Sequence, residues 1–516
     1  MRSHSILLAL ALVGLWGCQT TPPLSYDELA DKAANGETVS PGDLRAAFLR
    51  DPELPAKMER LLDLEQQALQ IVEDEPLKLG SIGSAILDTY QGSITGHYVM
   101  TRFYEHVETP DAAAVHQAWL EQIRADMESA GDGSREHPFL AMTSVEAQMY
   151  AISRGLSPVG AIYQTSDEHP FALLIQARPA DGPVENLTFD LGGLYQAMRM
   201  DFTASTADHA AEGDDDFSPF SVIGYLAKRG DTAAQAAIGA FLASQGRNAD
   251  AVDWLNASAR AGNLVASSVL ARLYWEEAST AKDPAAKKQA LDEVLENYLH
   301  AIALGSTDAM YALAVLYLNN HYGEENRASG VTLLTQAAEA NHSDAAMFLA
   351  HLNYTGEVVE RDLTKARNYY IQASELDNAF ARRSYARFLL DRSANQEADP
   401  RIIGWLDELA GNDDDSEAML LLGNLYARGV GTPQNFRRAV GWYKDAVKAA
   451  PEDASIVNEV AWTLTVSNYD QLQRTRYARS IMDTMMEAND EARERPEYLD
   501  TWAAAYAAPG DLGRAL

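Results

Sequence analysis

Arg383 and Arg387 stand four residues apart, and so do Asn424 and Arg428. On a helix that spacing places two side chains one turn apart on a single face. A guanidinium is a planar fork matched to a carboxylate, so these residues suit recognition of an acid better than the breaking of a bond. Residue sets that break bonds are not evident. The sequence has no phosphate loop, no Gly-x-Ser-x-Gly elbow and no His-Glu-x-x-His. The histidines are dispersed, and no His/Asp/Glu set has metal-ligand spacing. His137 and His169 each precede a proline beside a strand-like run. Two readings stand for them: an acid–base or metal site completed by Asp190, or polar caps on loops. Asp413-Asp414-Asp415 lacks the glycine and spacing of a calcium loop and reads as a solvated turn. Carboxylates are so plentiful that none stands out as a catalytic dyad. The expectation is therefore no catalytic residue, no metal and no cofactor.

The elements that position these residues follow from length and composition. The chain has 516 residues, too many for one compact core, which implies several domains or an extended array. A hydrophobic share of 47% is ordinary for a folded protein. Basic residues number 41 against 75 acidic, a net charge of −34. Such a surface repels phosphates, which argues against a nucleic-acid partner. The single cysteine, Cys18, forbids an intramolecular disulfide.

The position of Cys18 carries more than its count. Arg2 precedes an apolar run, Ile6 to Leu15, that is too short to span a bilayer as a helix. The run ends in Leu15-Trp16-Gly17-Cys18, which resembles the lipobox of bacterial lipoproteins. That resemblance implies cleavage before Cys18, lipid on its sulfur and its new amine, and a membrane anchored through several acyl chains. With Gln19 next, it implies an outer-membrane destination, facing the periplasm. Residues 1–17 would be the signal peptide and 18–24, with Thr20-Thr21-Pro22-Pro23, a lipidated tether.

The second half repeats itself. The frame Ala-x3-Leu-(Gly/Ala)-x2-Tyr appears from Ala418, Ala309 and Ala266, with weaker copies from Ala234, Ala345, Ala381 and Ala454. The spacings are 32, 43, 36, 36, 37 and 36, the mark of stacked helix pairs. The sixth position stays small (Gly239, Ala271, Ala314, Ala350, Ala386, Gly423), permitting close backbone approach. In the second helix, Trp254, Asn297, Leu333, Tyr369, Leu406 and Trp442 each precede by four a small residue: Ser258, Ala301, Ala337, Ala373, Ala410 or Ala446. The 43-residue unit is expected to carry a longer loop around Ala278–Ala286.

These units resemble Sel1-like repeats, a subclass of the tetratricopeptide family. The resemblance rests on Ala418 to Ala446 with Gly429-Val430-Gly431, Arg438-Ala439 and Trp442-Tyr443, and on Asp362, Lys365-Ala366 and Tyr369-Tyr370. The last units, with Pro451-Glu452-Asp453 and Leu499-Asp500-Thr501-Trp502, resemble ordinary tetratricopeptide repeats. The implied fold is mainly α: an α-solenoid of Sel1-like/tetratricopeptide helix pairs over 217–516. No polar capping helix follows Asp511-Leu512-Gly513-Arg514-Ala515-Leu516, so the expectation is a truncated sequence or a last layer completed by another chain.

Ahead of the array, capping signals at Ser25-x-x-Glu28 and Ser40-Pro41 open a helical region, 25–130, with Tyr104 and Trp119 suggesting a helical hairpin. Thr143-x-x-Glu146 starts a helix, and strand-like runs at Val159–Gln164, Phe171–Ala177 and Asn186–Asp190 form a small α+β module, 131–203, with an antiparallel meander. An acidic linker, 204–216, joins it to the array.

In a tetratricopeptide-like pair the first helix lines the concave face, at positions three, seven, ten and eleven of the frame. The resemblance thus puts Tyr311, Val315 and Asn319 on that face, then Met347, His351 and Tyr354, then Arg383, Arg387 and Asp391, then Leu420, Asn424 and Arg428. The candidate partner-binding residues are Tyr311, Asn319, His351, Arg383, Arg387, Asn424 and Arg428. Two readings stand for the arginines: a basic pocket holding a carboxylate from a peptide C-terminus or an acidic glycan, or internal pairing with nearby Asp and Glu. The first makes the chain a non-catalytic scaffold for protein partners in the cell envelope, similar in layout to repeat lipoproteins of exopolysaccharide secretion. The alternatives are an enzymatic or small-ligand-binding α+β module served by the array, and a regulator of a cell-wall enzyme.

Overall fold

Apolar residues recur at helical spacing along nearly the whole chain, and the computed structural model is accordingly built mainly of helices. It describes residues 23–72, 75–180, 182–206, 217–391, 398–412 and 414–507. Cys18 with its leader, Asp413, residues 207–216 of the acidic linker and the segment 511–516 lie outside the described residues. Two units meet in the chain at Asn297 and Tyr298. Among the described residues no helix is long and apolar enough to cross a membrane.

The first unit opens with α1 (Tyr26–Ala34), α2 (Pro41–Phe48), α3 (Leu54–Ile71), α4 (Leu79–Thr89), α5 (Ile94–His106) and α6 (Pro110–Glu128). Ser25 and Glu28 close a reciprocal capping box, and Ser40 caps α2 with Pro41 in its first turn, as the sequence predicts. The α5–α6 hairpin is present, and Trp119 stacks on His97 at 5.1 Å. The α+β module follows: β1 (Phe139–Leu140), α7 (Ser144–Ser153), β2 (Ser157–Gln164), β3 (Ala172–Arg178) and β4 (Glu185–Asp190). The expected meander β2–β3–β4 is antiparallel, and the short apolar run before α7 adds β1 in parallel to β4, giving the order β1-β4-β3-β2. Then come α8 (Gly192–Thr206), α9 (Pro219–Lys228), α10 (Thr232–Ser244), α11 (Asn248–Arg260) and α12 (Leu264–Thr280). One apolar core runs from Tyr26 to Leu273, so the earliest repeat helices share it with the sheet.

Two capping residues join them. Asp231, which caps α10, also accepts hydrogen bonds from the hydroxyls of Ser144 (2.9 Å) and Tyr163 (3.2 Å). Asn263, which caps α12, accepts from the Ala161 N–H (3.1 Å) and donates to its carbonyl (2.8 Å). A side chain thereby replaces a neighbouring strand for one residue of β2.

A long loop around Ala278–Ala286 is not what accommodates the 43-residue unit. Its extra residues lengthen the helices instead: α12 has 17 residues and α13 (Pro284–Ala303) has 20. The stretch is rich in Ala, Glu and Lys, which favour helix over loop.

The second unit is the expected stack of helix pairs: α14 (Thr307–Leu318) with α15 (Arg327–Glu339), α16 (Ser343–Thr355) with α17 (Leu363–Glu375), α18 (Ala379–Leu390) with α19 (Arg401–Asn412), α20 (Ser416–Arg428) with α21 (Phe436–Ala449), and α22 (Ala454–Val466) with α23 (Thr475–Ala488), then α24 (Pro496–Ala507). Each leading alanine from Ala309 to Ala418 gives its N–H to a cap three residues earlier: Ser306, His342, Asn378 and Asp415. Most of these caps also reach the preceding first helix. His342 bonds Asp308 at 3.0 Å, Asn378 donates to Asp344 at 2.7 Å, and Asp415 pairs with Arg383.

The same rule corrects the last frame. Asp453 caps α22 and accepts from Ile456 N, so Ile456, not Ala454, holds the leading position, and Val460, Ala461 and Leu464 fill the buried sites. In the second helix Asn297 and Leu406 are buried where the register puts them, but in the other four units the register shifts. Trp254, Leu333, Tyr369 and Trp442 are half-buried, whereas Leu255, Leu334, Tyr370 and Tyr443, one residue later, are buried. Those later side chains meet the small sixth position. A Cβ on Gly423 would lie 2.4 Å from the Tyr443 ring, and one on Gly239 2.5 Å from Leu255. Past α20 the motif Gly429-Val430-Gly431 has its own reason: Gly429 takes φ +70° and its N–H closes the helix on Leu425 O.

Gly423→Ala should destabilise the second unit by about 1–3 kcal/mol through overpacking. Adding Tyr443→Leu should recover part of that loss. Urea unfolding of the single and double variants reads both effects, and additive losses would show that the two residues do not share one contact.

Candidate functional site

All seven candidate residues lie in the second unit. Tyr311 on α14 is half-buried, its ring stacked on His342 at 5.0 Å. Because the Ala345 N–H is donated to His342 Nδ1, that nitrogen is unprotonated, and Nε2–H donates to Asp308. The Asp308 carboxyl is held below its ordinary value, first by this hydrogen bond. Asn319, the C-cap of α14, and His351, within α16, are exposed. Tyr354 donates its hydroxyl to Asp391 and packs edge-on against Phe388.

The arginines do not form a bare basic pocket. Arg383 is largely buried and pairs with both Asp415 and Glu417, the latter at 3.0 Å. Arg387 pairs with Glu417 while keeping 46% of its side chain exposed. Burial, then the neighbouring Arg383 guanidinium, hold Arg387 below the ordinary arginine value. Arg428 is exposed, and its guanidinium donates to the Leu390 carbonyl at 2.8 Å. Asn424 accepts the Tyr443 hydroxyl at 2.9 Å, and Leu420 is buried, so both serve the helix pair. The structure thus brings Arg383, Arg387, Asn424 and Arg428 to adjacent helices and separates their roles. The carboxylates that engage Arg383 and Arg387 come from the start of α20. The signal for Asp415 was present in the sequence, three residues before Ala418, where a cap belongs; it is a cap, and Asp414 beside it is the exposed turn residue with φ +49°.

His169 and Asp190 do meet, Nδ1 to Oδ2 at 3.0 Å, but the rest of the local bonding is loop closure. Ser166 and His169 bond each other's backbone, and Asp190 also accepts the Gly192 N–H. His137 is exposed, its carbonyl holding the turn at Asp132 and Gly133. A second histidine pair, 19 residues apart, has no spacing signal in the sequence. His97 Nε2–H donates to the Gln91 carbonyl, so its Nδ1 accepts from His116 Nδ1–H at 2.9 Å. Burial and the neighbouring His116 push His97 down to about 3, which keeps it neutral. Among the described residues no group of three or more His, Cys, Asp or Glu is placed to hold a metal ion.

One carboxylate pair does stand out, 81 residues apart in sequence and so invisible there. Glu65 on α3 accepts hydroxyl bonds from Ser93 and Thr143, the caps of α5 and α7. Glu146 in the first turn of α7 accepts the Met142 N–H at 2.9 Å. Both are buried. Burial, then the nearby Glu146 charge, push Glu65 up to about 8; burial pushes Glu146 up to about 7. Sealed from solvent, the pair binds helices together and offers nothing to a substrate.

The Sel1 repeat model matches residues 307–342, 343–378 and 416–450. These spans are the α14–α15, α16–α17 and α20–α21 pairs, and the unmatched pair between them, α18–α19, carries Arg383 and Arg387. The chain carries Sel1 repeats. It is similar in structure to a Sel1 repeat protein from Oxalobacter formigenes, with 21% identity and a TM-score of 0.38 over 49% of this chain and 99% of that one. It is also similar to a protective antigen of uropathogenic Escherichia coli displaying an SLR fold, with 16% identity and a TM-score of 0.42 over 95% of this chain and 97% of that one. No curated protein matches the sequence.

The raised Glu65 and Glu146 values fix a pH dependence. Folded, the pair holds protons that the unfolded chain releases above about pH 4.5, so its contribution to stability is fully present below that and is lost as pH rises through about 7 to 8. Amide hydrogen exchange of α5 and α7, corrected for intrinsic rate, should show easier opening at about pH 8 than at about pH 6. Glu146→Gln should flatten that difference; an unchanged slope would mean the pair is not its source.

Proposed function

We propose that this protein is a non-catalytic, membrane-anchored adaptor of the cell envelope that captures a protein partner by a carboxylate at Arg387 and Arg428. Sel1 repeats supply the helix-pair surface. The observation that carries the reading is the exposure of both guanidiniums on the adjoining helices α18 and α20, in a chain of net charge −34. The Arg387–Glu417 pair is exposed, and such pairs contribute about 0–1 kcal/mol, so an incoming carboxylate can replace Glu417 at little cost. Arg383, held by two carboxylates, positions α20 and takes no part in capture. The partner group is a peptide C-terminus or an acidic glycan, and the setting is envelope assembly or exopolysaccharide secretion. Cys18 provides the anchor, with the chain on the outer membrane facing the periplasm.

Arg387→Ala with Arg428→Ala should lower partner recovery after cross-linking in living cells by about tenfold or more, at unchanged expression. Unchanged capture would sink the carboxylate reading. Amidated and free-acid peptides competing for the purified chain separate a peptide C-terminus from a glycan acid.

Cys18→Ser should abolish incorporation of an alkyne-tagged fatty acid and shift the chain from the membrane to the soluble periplasmic fraction. Retained label or retained membrane association would rule out the anchor.

A further inference from the structure

The first unit carries a cleft of about 760 Å³ among the start of α3, the end of α8 and α9. That volume lies within the range of about 300–1,000 Å³ usual for ligand sites. Its floor is apolar: Met198, Phe217, Val222 and the exposed Phe202. A line of rings ties this floor to the core, Phe171 to Tyr195 at 5.8 Å, Tyr195 to Phe217 at 5.3 Å and Phe217 to Phe202 at 5.2 Å. Beside it the Phe220 and Phe241 rings meet at a tilt, 4.5 Å apart, while remaining 42% and 45% exposed. Large aromatic side chains gathered on a surface mark an interaction site more often than scattered ones do.

The rim of the cleft is acidic. Glu53, Glu59 and Asp201 line it, and Glu53 and Asp201 have no ion pair among the described residues. The surface already seats one guanidinium of its own. Arg229 lies over the Tyr225 ring at 5.4 Å, donates to the Tyr225 hydroxyl at 2.9 Å and pairs with Asp63 and, at 3.6 Å, Glu59. Aromatic face and carboxylate together are what a peptide cation requires. We propose that this cleft is a docking site for a cationic amphipathic peptide segment of a partner protein, its apolar side chains on Phe202 and Phe217 and its Lys or Arg residues against Glu53 and Asp201. The site is independent of Arg387 and Arg428, which would hold an acid, so one chain engages partners of both signs.

The test uses the full chain carrying Cys18→Ser, in solution, and an acetylated heptapeptide alternating lysine and leucine. The controls are the Glu/Leu and Lys/Ser versions of the peptide. Binding read by calorimetry should require both charge and apolar side chains and should weaken with salt. Glu53→Lys with Asp201→Lys should raise Kd at least about tenfold, and Phe202→Ser should do so without changing the charge. The same charge change on α6, Asp111→Lys with Glu121→Lys, should cost no more than about twofold. Equal loss from the α6 control, or equal binding of either control peptide, overturns the proposal. So does a concentration-dependent dimer, or binding to phosphatidylglycerol vesicles, that disappears with Phe202→Ser, since a second copy or a membrane would then own the cleft. Circular dichroism of each variant separates lost binding from lost fold.

Discussion

A helix begins with backbone N–H groups that have no partner, and in a stacked protein those groups lie between layers where water cannot serve them. This requirement governs the whole chain. Several of the side chains that answer it have bonding capacity left over, and here that capacity goes to the preceding layer. Ser93 and Thr143 cap α5 and α7 and both donate to Glu65 on α3, so one buried carboxyl fixes three helices. His342, Asn378 and Asp415 do the same work between successive first helices of the second unit. A local need of the backbone thereby becomes the device that sets the offset between layers, and apolar packing fills the space so defined.

That logic also explains what the sequence discloses and what it withholds. The helix pairs are legible because a small residue every 36 or so positions has one purpose, letting a large neighbour in. The caps are legible wherever Ser, Thr, Asp or Asn precedes an apolar run. The identity of the large neighbour is harder to read. Trp254 and Trp442 look like the packing residues by size, yet Leu255 and Tyr443 fill the sites, because a bulky amphipathic ring can rest on a helix flank. Ala454 imitates a leading residue, and only the Asp453 bond to Ile456 reveals the true register. Glu65 and Glu146 share an environment created by folding, as do the helices that wall the aromatic cleft, and no spacing rule connects them.

Charge is distributed with similar economy. Of the three arginines gathered at α18 and α20, the most enclosed is the one with two carboxylates, as desolvation demands. The outer ones are held by an exposed carboxylate and by a carbonyl, contacts weak enough to be exchanged. The carboxylates that surround them keep a strongly acidic chain from presenting an indiscriminate cationic patch.

The caps Asp231 and Asn263 differ from their counterparts in one respect: their second partners are Ser144, Tyr163 and the backbone of Ala161, none of which recurs along the chain. In the second unit the caps His342 and Asn378 look back to Asp308 and Asp344, which hold the same place in successive repeats. A gene segment encoding 343–378 could be duplicated or lost, and each new junction would find its hydrogen-bond partner waiting. The same event at 232–263 would strand the cap and strip β2 of its substitute neighbour. Variation in repeat number among descendants of this sequence should therefore accumulate toward the C-terminal side, while the helices seated on the sheet stay single-copy.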